Sequence, residues 1–348
     1  MFVPSRPLIS VVVASYNYEE YIGVTLSSIL NQTEARFEII VVDDASTDRS
    51  RDVVKSFSDR RISLLVNDHN LGPSRTYNRG AVAATGTYIT YLDADDWIEP
   101  RKFKLQVGRF NQSPHVDILG TYADFRSADG SRHPNADVFE RRLNRSRDLN
   151  DIDAWAAGNL LPGSSVMLRR TVHEEIGFRD PAMTTADFEL WTRAMAQGLR
   201  FDMVKLPLLF YRRHDRSANY LRRQTDALFE LTYAVRQNLV PRIGSSAAFR
   251  AAMKLIMKRM QKCAMSEDDQ CRHLALMLGA PRVSDFAGFK ASLDAHPSSP
   301  IMIAFGKEWY QGLHARGAAK HRDFDIHIER YLSARPFEHA PPLQGNFD

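Results

Sequence analysis

Three acidic residues, Asp93, Asp95 and Asp96, stand directly after an apolar run, Tyr88–Leu92. Carboxylates this close repel one another unless a cation lies between them, and a set of oxygen ligands suits Mg²⁺ or Mn²⁺. Such an ion commonly keeps several waters and takes its remaining ligands from substrate phosphates. The cluster therefore predicts a divalent-cation site for a phosphorylated ligand. The simpler alternative is a solvated acidic turn that caps the next helix.

A second acidic pair, Asp43-Asp44, follows another apolar run, Phe37–Val42. One of its carboxylates could accept a hydrogen bond from a nucleobase N–H, while the ring of Tyr16 offers a flat face on which the base could stack. The alternative is a carboxylate that caps the helix predicted to start at Ser46 or at the next residue. The functional interpretation makes this pair a nucleobase contact.

Phosphate binding by the common glycine-rich loops is not supported, because neither G-x-G-x-x-G nor G-x-x-x-x-G-K-[ST] occurs in the chain. Arg75 follows Asn70-x-Gly72-Pro73 and could donate hydrogen bonds to a phosphate. The alternative for Arg75 is a surface arginine on a helix. Phosphate charge would therefore be neutralised mainly at the acidic cluster, through a cation.

The apolar patterns place these residues at the ends of strands. Over the first hundred residues, β-branched runs without polar alternation alternate with segments whose apolar residues recur at helical spacing. This alternation predicts βαβ units and a mainly parallel sheet. In such a sheet ligands bind beyond the carboxyl ends of the strands. The predicted strands are Leu8–Ala14, Phe37–Val42, Ile62–Val66 and Tyr88–Leu92, and the predicted helices are Tyr21–Leu30, Ser46–Phe57 and Ser74–Ala84.

After residue 101 the pattern becomes mixed. Residues 126–150 are polar and arginine-rich, which predicts a long loop, and no strand signal follows Tyr220. We therefore expect a domain boundary near residue 218, followed by helices broken at prolines. The further predicted elements are the helices Phe103–Asn111 and Asp187–Gln197 and the strands Asp117–Phe125 and Val204–Arg212.

The composition is that of an ordinary globular protein, with 348 residues, 44% of them apolar and 25% charged. It excludes collagen-like, disordered and disulfide-scaffold classes.

The net charge of +4 is unevenly distributed along the chain, because residues 220–348 carry 18 basic and 13 acidic side chains. No apolar run approaches the ~20 residues of a membrane span, and Cys263 and Cys271 are not expected to form a disulfide. A soluble protein in a reducing cytoplasm is the expectation.

Five short motifs follow one another between Ser10 and Asp96. They are S-V-V-V-A-S-Y-N at 10–17, V-V-D-D-A-S-T-D at 41–48, N-L-G-P-S-R at 70–75, A-T-G-T-Y-I at 84–89 and L-D-A-D-D at 92–96. Together and in this order, they resemble the nucleotide-sugar-binding half of family 2 glycosyltransferases, which are inverting enzymes with the GT-A fold. A weaker resemblance extends to about residue 218 through Gly163–Arg170, Ala186–Arg193 and Tyr211–His214.

The resemblance implies a GT-A-type α/β fold, in which a mixed, mainly parallel sheet is flanked by helices and followed by a C-terminal helical region. It implies a catalytic domain over residues 1–218. Within that domain, residues 1–100 would bind the nucleotide sugar and residues 101–218 the acceptor. Residues 219–348 would form the helical region.

The resemblance also implies roles for individual residues. Asp187 matches the base that takes the proton of the acceptor hydroxyl, and Glu189 is a second carboxylate two residues later. The alternative for Asp187 is a carboxylate at the start of a helix, stabilised by the helix dipole. His214 stands where relatives place a basic or metal-contacting residue, and Asp93 and Asp95 match a D-x-D that binds ribose and a diphosphate-bound Mn²⁺ or Mg²⁺. The residues implied to bind the nucleotide sugar are Ala14, Tyr16, Glu19, Asp43, Asp44 (which would read the uracil), Arg75, Asp93, Ala94 and Asp95.

The implied reaction is transfer of a sugar, with inversion, from a nucleotide-diphosphate sugar of the UDP type to an acceptor hydroxyl in the synthesis of a cell-surface polysaccharide or glycolipid. Two alternatives stay open. A sugar-phosphate nucleotidyltransferase would carry a basic, glycine-rich loop after the first strand, where this chain has Tyr16–Glu20. A non-catalytic nucleotide-sugar-binding scaffold would tolerate the loss of Asp187.

The basic excess of the last third concentrates in Arg250–Lys262, which holds five basic residues and no acidic one. At helical spacing, Lys254, Lys258 and Lys262 share one face. That face could rest on anionic lipid at the inner side of the cell membrane, where a lipid-linked saccharide acceptor would be presented. The alternatives are a solvated face of a packed helix and a contact within a homo-oligomer. No nucleic acid is expected as a partner, because no recognised motif accompanies the charge.

Overall fold

The structure is a computed structural model that describes residues 7–184, 186–217, 224–267, 269–270, 273–274 and 287–288. The chain divides into two compact units. The first comprises Met1–Asn150, Leu160–Asp187 and Gly198–Leu221, and the second comprises Asp151–Asn159, Phe188–Gln197 and Arg222–Asp348. The division after Leu221 lies near the boundary predicted at 218, whereas 151–159 and 188–197 cluster with the second unit rather than the first.

The parallel half of the sheet lies in the first unit. Its strands are β1 (Ile9–Ser15), β2 (Phe37–Asp43), β3 (Ile62–Val66) and β4 (Tyr88–Asp93), all close to their predicted bounds. β1 pairs in parallel with both β2 and β4, and β2 pairs in parallel with β3. Val11, Val13 and Val41 are fully buried, as expected for strands covered on both faces. Because Ser15 pairs with Asp43 and Ala14 with Asp93, three strands end at the same level.

The other half of the sheet is mixed. It consists of β5 (Trp97–Ile98), β6 (Ile118–Ser127), β7 (Met167–Arg169) and β8 (Phe201–Arg213). β7 runs antiparallel to β4 and β6, β8 runs parallel to β6, and β5 runs antiparallel to β8. The strand order is β3-β2-β1-β4-β7-β6-β8-β5. The predicted fold class, a mixed and mainly parallel sheet flanked by helices, is confirmed.

The predicted helices follow the strands, and two predictions in the first unit were wrong. The helices are α1 (Ile22–Leu30), α2 (Ser50–Lys55), α3 (Pro73–Ala83), α4 (Lys102–Gln112), α5 (Ala136–Leu143), α6 (Ile152–Trp155), α7 (Thr171–Ile176), α8 (Asp187–Ala196), α9 (Gln224–Ala234) and α10 (Ser246–Lys262). The prediction that α2 starts at Ser46 was wrong. The Ser46 N–H instead donates to Asp43 Oδ1 at 2.9 Å, and the helix begins four residues later.

The prediction of a single long loop over 126–150 was also wrong, because it contains α5. Ala136 is buried, and Phe139 and Leu143 pack against the core from the same face, but these three apolar residues stand among arginines and other polar residues, which led to the prediction of a loop. Side-chain pairs hold it: Arg132 Nη2 lies 2.7 Å from Asp137 Oδ1 and 3.0 Å from Glu140 Oε2.

The second unit is helical where the structure describes it, as predicted. A single π turn, Val235–Leu239, follows α9. Trp191 and Phe249 are fully buried in this unit, and the side chain of Ser245 caps α10 by accepting a hydrogen bond from the Ala248 N–H. The predicted helices beyond α10, and Cys271, lie outside the described residues. Within the described residues, no helix is long and apolar enough to cross a membrane.

Candidate active site

The carboxylates of Asp93, Asp95 and Asp96 form the centre of the site at the end of β4. One ligand oxygen from each lies within 4.8 Å of those of the other two. Burial, followed by the charge of Asp95, raises the pKa of Asp93 to about 6. Burial and the charges of Asp95 and Asp93 raise the pKa of Asp96 well above its ordinary value. Carboxylates that raise one another's pKa in this way are stabilised by a bound cation.

The backbone of this acidic turn is held by Thr25 on α1. The Thr25 hydroxyl oxygen lies 2.8 Å from the carbonyl oxygen of Ala94 and 2.7 Å from that of Asp96. Thr25 is fully buried, so water does not compete for these hydrogen bonds. Ala94 itself is fully buried, and its predicted contact with the nucleotide sugar stays a prediction.

Arg212 on β8 holds the same turn from the other side. Its backbone N–H donates to Asp96 Oδ1 at 2.9 Å, and its Nε–H donates to the carbonyl oxygen of Asp95 at 2.7 Å. The guanidinium carbon lies 4.8 Å from the ring centroid of Tyr21 and 4.5 Å from that of Trp97. Arg212 therefore fixes both the backbone and one carboxylate of the cluster.

His214, predicted to contact the metal, lies beside Asp95. Its Nε2 is 2.8 Å from Asp95 Oδ2, and its side chain is 2% exposed. Its ring centroid lies 4.8 Å from that of Tyr21, and its Nδ1 is buried without a partner among the described residues. His214 thus orients the Asp95 carboxylate, and its contact with a metal stays a prediction.

The acidic pair at the end of β2 is deeply buried, with Asp43 1% and Asp44 3% exposed. Asp44 accepts hydrogen bonds from the backbone N–H groups of Leu71, at 2.8 Å, and Gly72, at 2.9 Å. These bonds fix the loop that leads into α3. Asp43 Oδ2 is buried with no partner in the part of the chain that is described. The predicted contact of this pair with a nucleobase stays a prediction.

The loops that follow β1 (16–21) and β2 (44–49) are joined by hydrogen bonds, and together they are called the double loop. Asn17 Oδ1 accepts the Thr47 N–H at 2.8 Å, and Glu19 Oε2 accepts the Arg49 N–H at 2.9 Å. Tyr16, predicted to stack on the base, keeps 42% of its surface exposed on this double loop. The loops therefore form a fixed wall on which an exposed aromatic ring is presented.

The predicted phosphate ligand Arg75 lies in the first turn of α3 and is exposed. Its Nε–H donates to the carbonyl oxygen of Pro181 at 3.3 Å. Its predicted role would require the side chain to leave this partner, and it stays a prediction.

Asp187, the predicted base, is half-buried at the first position of α8, and its charge contributes to the raised pKa of Asp93. Glu189 is the alternative carboxylate, but it is 3% exposed. Arg193 Nε lies 2.8 Å from Glu189 Oε1, and Arg193 Nη2 lies 3.0 Å from Glu189 Oε2. A carboxylate held in a buried bidentate ion pair is not placed to take a substrate proton, so Glu189 is structural.

Tyr77 and Arg179 are site residues that the sequence prediction missed. The Tyr77 hydroxyl donates to Asp93 Oδ1, and the positive charge of Arg179 lowers the pKa of Asp93. The helical spacing of Ser74, Tyr77 and Ala81, all buried, was a signal that Tyr77 faces the sheet. Arg179 lies in an irregular segment, where no periodicity distinguishes a buried arginine from an exposed one.

The comparison with known families agrees with this arrangement. The family model described as Glycosyl transferase family 2 matches residues 10–177, which include the double loop, the acidic pair of β2 and the acidic turn of β4. Residues 10–177 belong to glycosyltransferase family 2. The resemblance predicted from the five motifs is confirmed.

Two glycosyltransferases with curated names illustrate the sequence similarity. An uncharacterised glycosyltransferase of Methanocaldococcus jannaschii is 28% identical over 223 residues, which cover 63% of this chain and 74% of that protein. WfaP of Escherichia coli, named UDP-Glc:α-D-GlcNAc-diphosphoundecaprenol β-1,3-glucosyltransferase, is 28% identical over 60% of this chain and 78% of its own length. The chain spans only 48% to 61% of the length of several further relatives.

Among solved structures, residues 1–349 of TarS from S. aureus, in complex with UDP-GlcNAc, align with a TM-score of 0.61. The alignment covers 95% of this chain and 93% of the TarS chain at 16% identity. This likeness confirms the GT-A fold.

Proposed function

We propose that the protein is an inverting, metal-dependent glycosyltransferase that moves a sugar from a UDP-sugar to a hydroxyl group of a lipid-linked saccharide, in the synthesis of a cell-surface polysaccharide or glycolipid. The observation that carries the proposal is the meeting of Asp93, Asp95 and Asp96 within 4.8 Å at the strand ends, with Asp187 close enough for its charge to act on Asp93. Residues 1–100 would bind the donor and residues 101–218 the acceptor.

Asp93 and Asp95 are the residues that would hold Mn²⁺ or Mg²⁺, with Asp96 and His214 beside them. Their carboxylate oxygens are the hard ligands that these ions prefer, and the raised pKa values of Asp93 and Asp96 indicate negative charge that lacks a counter-ion. When bound, the ion would neutralise the charge that develops on the departing diphosphate. Arg212 and Thr25 keep the acidic turn in place before any ligand arrives.

Asp187 would act as the base. As the acceptor oxygen forms its bond to C1 of the donor sugar, the acceptor O–H proton passes to the Asp187 carboxylate. The bond between C1 and the phosphate oxygen breaks, and its electron pair leaves with the nucleoside diphosphate. Attack from the face opposite the leaving group inverts the configuration at C1, because the reaction is a single displacement.

The nucleotide part of the donor would lie against the double loop. Tyr16 would stack on the base, and Ala14 and Glu19 would line the base and ribose. Asp44, with Asp43 beside it, would accept the N–H of uracil. Asp93, Ala94 and Arg75 would face the ribose and phosphates. TarS binds UDP-GlcNAc in its crystal structure and WfaP is named for a UDP-glucose donor, which supports UDP as the carrier.

The basic face of α10 supports a lipid-linked acceptor and a cytoplasmic enzyme that touches the inner face of the cell membrane. Lys254, Lys258 and Lys262 are exposed, while Ile256 and Met260 on the opposite face are fully buried. The lysine face is therefore free to approach anionic headgroups, which attract basic helices. WfaP is named for an acceptor linked to diphosphoundecaprenol.

A thermal-shift panel tests the proposal. The full chain is melted with UDP, UDP-Glc, UDP-GlcNAc and GDP-mannose, each with and without Mn²⁺. We expect UDP and one UDP-sugar to raise the Tm only when Mn²⁺ is present, since a ligand at 100 times its Kd stabilises the fold by about 2.7 kcal/mol. The absence of metal-dependent stabilisation by every nucleotide would overturn the proposal.

A further inference from the structure

Arg179 is a buried cation whose donors are not used up within the protein. The residue is 5% exposed, and its Nε is buried with no hydrogen-bond partner in the described part of the chain. Its guanidinium carbon lies 4.6 Å from the ring centroid of Tyr77 and 4.7 Å from that of Tyr91. Aromatic faces stabilise the charge but do not accept the directed hydrogen bonds of a guanidinium. A buried donor without an acceptor is costly, so a ligand that brings hydrogen-bond acceptors to this guanidinium would stabilise the site.

The guanidinium is held in place before any ligand arrives. The Arg179 N–H donates to Asn78 Oδ1 at 3.1 Å, and Asn78 Nδ2 donates back to the Arg179 carbonyl oxygen at 2.8 Å. The two rings beneath the guanidinium are themselves tied, since the Tyr77 hydroxyl is bonded to Asp93 and the Tyr91 hydroxyl to His173. The direction of the side chain is therefore a fixed property of the site.

Gly163 lies next to this guanidinium and to Asp187, and it carries no side chain that would fill the volume of one methyl group between them. A Cβ built on Gly163 would lie 3.8 Å from Arg179 Nη2, 3.8 Å from Asp187 Cβ and 4.0 Å from Asp187 Oδ2. The same small volume is thus bordered by a hydrogen-bond donor on one side and a carboxylate on the other. These distances are ordinary contacts, so a methyl group at position 163 is compatible with the fold.

A saccharide hydroxyl fits this volume better than a phosphate does. A hydroxyl oxygen accepts from a guanidinium while its O–H donates to a carboxylate, so it satisfies both neighbours at once. A phosphate would bond to Arg179 but would bring its negative charge against Asp187, which costs free energy. The pairing of donor and acceptor therefore selects a neutral polyol.

We propose that Arg179 and Gly163 complete a saccharide subsite in front of Asp187, in which Arg179 donates to a sugar hydroxyl oxygen and the missing side chain of Gly163 leaves room for that hydroxyl group. The inference rests on the proposed glycosyltransferase function. It adds two specificity-determining residues, of which Arg179 would touch the substrate directly. The sugar belongs either to the donor or to the acceptor, and the experiment separates these sources.

The experiment compares Arg179→Gln, Arg179→Lys and Gly163→Ala with two controls. Gly108→Ala adds a methyl group to a helical glycine with nothing within 4 Å. Arg61→Gln removes a guanidinium that lies 4.3 Å from the Phe37 ring centroid at the amino end of β3. Titration calorimetry gives the affinities for UDP and for UDP-GlcNAc or UDP-Glc in Mn²⁺, and UDP release without and with a saccharide acceptor gives kcat and KM.

We expect Gly163→Ala to keep the UDP affinity of the wild type and to lose about tenfold or more in sugar recognition. Arg179→Gln should lose at least as much sugar recognition, Arg179→Lys, which keeps the positive charge, should lose less, and both controls should be unchanged. A loss confined to UDP-sugar affinity assigns the subsite to the donor, and a rise confined to the acceptor KM assigns it to the acceptor. The inference is overturned if, in Gly163→Ala, UDP affinity falls by the same factor as sugar recognition or neither sugar parameter changes. Should the wild type itself bind no UDP, the proposed function fails instead.

Discussion

The Tyr77 hydroxyl donates a hydrogen bond to Asp93 Oδ1, which links helix α3 directly to the carboxylate at the end of β4. Asp93 Oδ1 accepts this bond from Tyr77, and the bond fixes the orientation of the other carboxylate oxygen. Since Tyr77 is 5% exposed, water cannot easily replace its hydroxyl. Tyr77 is therefore a positioning residue for the acidic cluster.

Tyr77→Phe should weaken metal binding without unfolding the protein. Loss of a hydrogen bond that orients a metal ligand costs about 10–100-fold in metal affinity or activity, so the Mn²⁺ concentration for half-maximal UDP release should rise by about tenfold or more. Tyr88→Phe is the matched control, because Tyr88 lies at the other end of β4 and its ring stacks on Phe110. An unchanged Mn²⁺ dependence in Tyr77→Phe would contradict the prediction.

Asp187→Asn and Glu189→Gln should separate chemistry from stability. Asp187→Asn should lower the transfer rate by about 10²–10⁴-fold, the usual contribution of a general base, while Mn²⁺-dependent UDP binding persists. Glu189→Gln should instead lower the free energy of unfolding by about 3–5 kcal/mol, because it leaves the buried Arg193 without its counter-charge. Transfer assays and urea unfolding on both variants provide the measurements. Normal transfer by Asp187→Asn would favour a non-catalytic scaffold.

Lys102→Met should stabilise the fold in a pH-dependent way. Lys102 is 1% exposed, its Nζ lies 3.0 Å from Gln106 Oε1, and burial lowers its pKa to about 7. Because the unfolded chain holds this proton more tightly, the wild type gains stability as the pH rises from about 7 towards the ordinary lysine value of 10.5. The advantage of Lys102→Met should therefore be largest at pH 6 and shrink towards pH 10.

Thermal unfolding at pH 6, 8 and 9.5 measures this effect, with Lys104→Met as the control on the exposed face of the same helix. We expect a gain on the order of 2–4 kcal/mol for Lys102→Met at pH 6 and little change for Lys104→Met at any pH. A gain that stays constant across these pH values would show that the buried amine does not titrate in this window.

Reversing the charge of the α10 face should abolish binding to anionic membranes. The triple variant K254E/K258E/K262E should lose co-sedimentation with phosphatidylglycerol vesicles, since each basic residue near such a surface contributes about 1 kcal/mol. Arg141, Arg142 and Arg145 are exposed arginines on or just after α5, and the triple variant R141E/R142E/R145E changes the net charge equally. Equal losses in both variants would show that net charge, rather than this face, governs the interaction.

Much of this architecture could be predicted, and the exceptions have physical causes. The runs that form β1, β2 and β4 are covered on both faces, so their composition alone predicts buried parallel strands with acidic residues at their ends. β5 and β7 have two and three residues, which is too short for any periodicity. Their places are set by partners far along the chain.

The site was predictable to the extent that its residues follow strands in short motifs. Asp93 and Asp95 could be named in this way and Asp187 through the family resemblance, whereas Arg179 could not, because its surroundings are rings and a glycine contributed by separate segments. Arg212 lies in the motif Tyr211–His214, but its hydrogen bonds to the acidic turn depend on how β8 lies in the sheet.

The bond between Arg212 and Asp96 joins residues 116 positions apart, and this separation has a consequence during translation. β1 to β4 can pair as soon as they emerge, so the loops that follow β1 and β2 can form early. The acidic turn gains its second support only after residue 213 has left the ribosome, which at about 5–20 residues per second takes several more seconds. A nascent or prematurely terminated chain would therefore carry an unfinished carboxylate cluster, and competence to hold a metal would arise only with the last strand of the sheet.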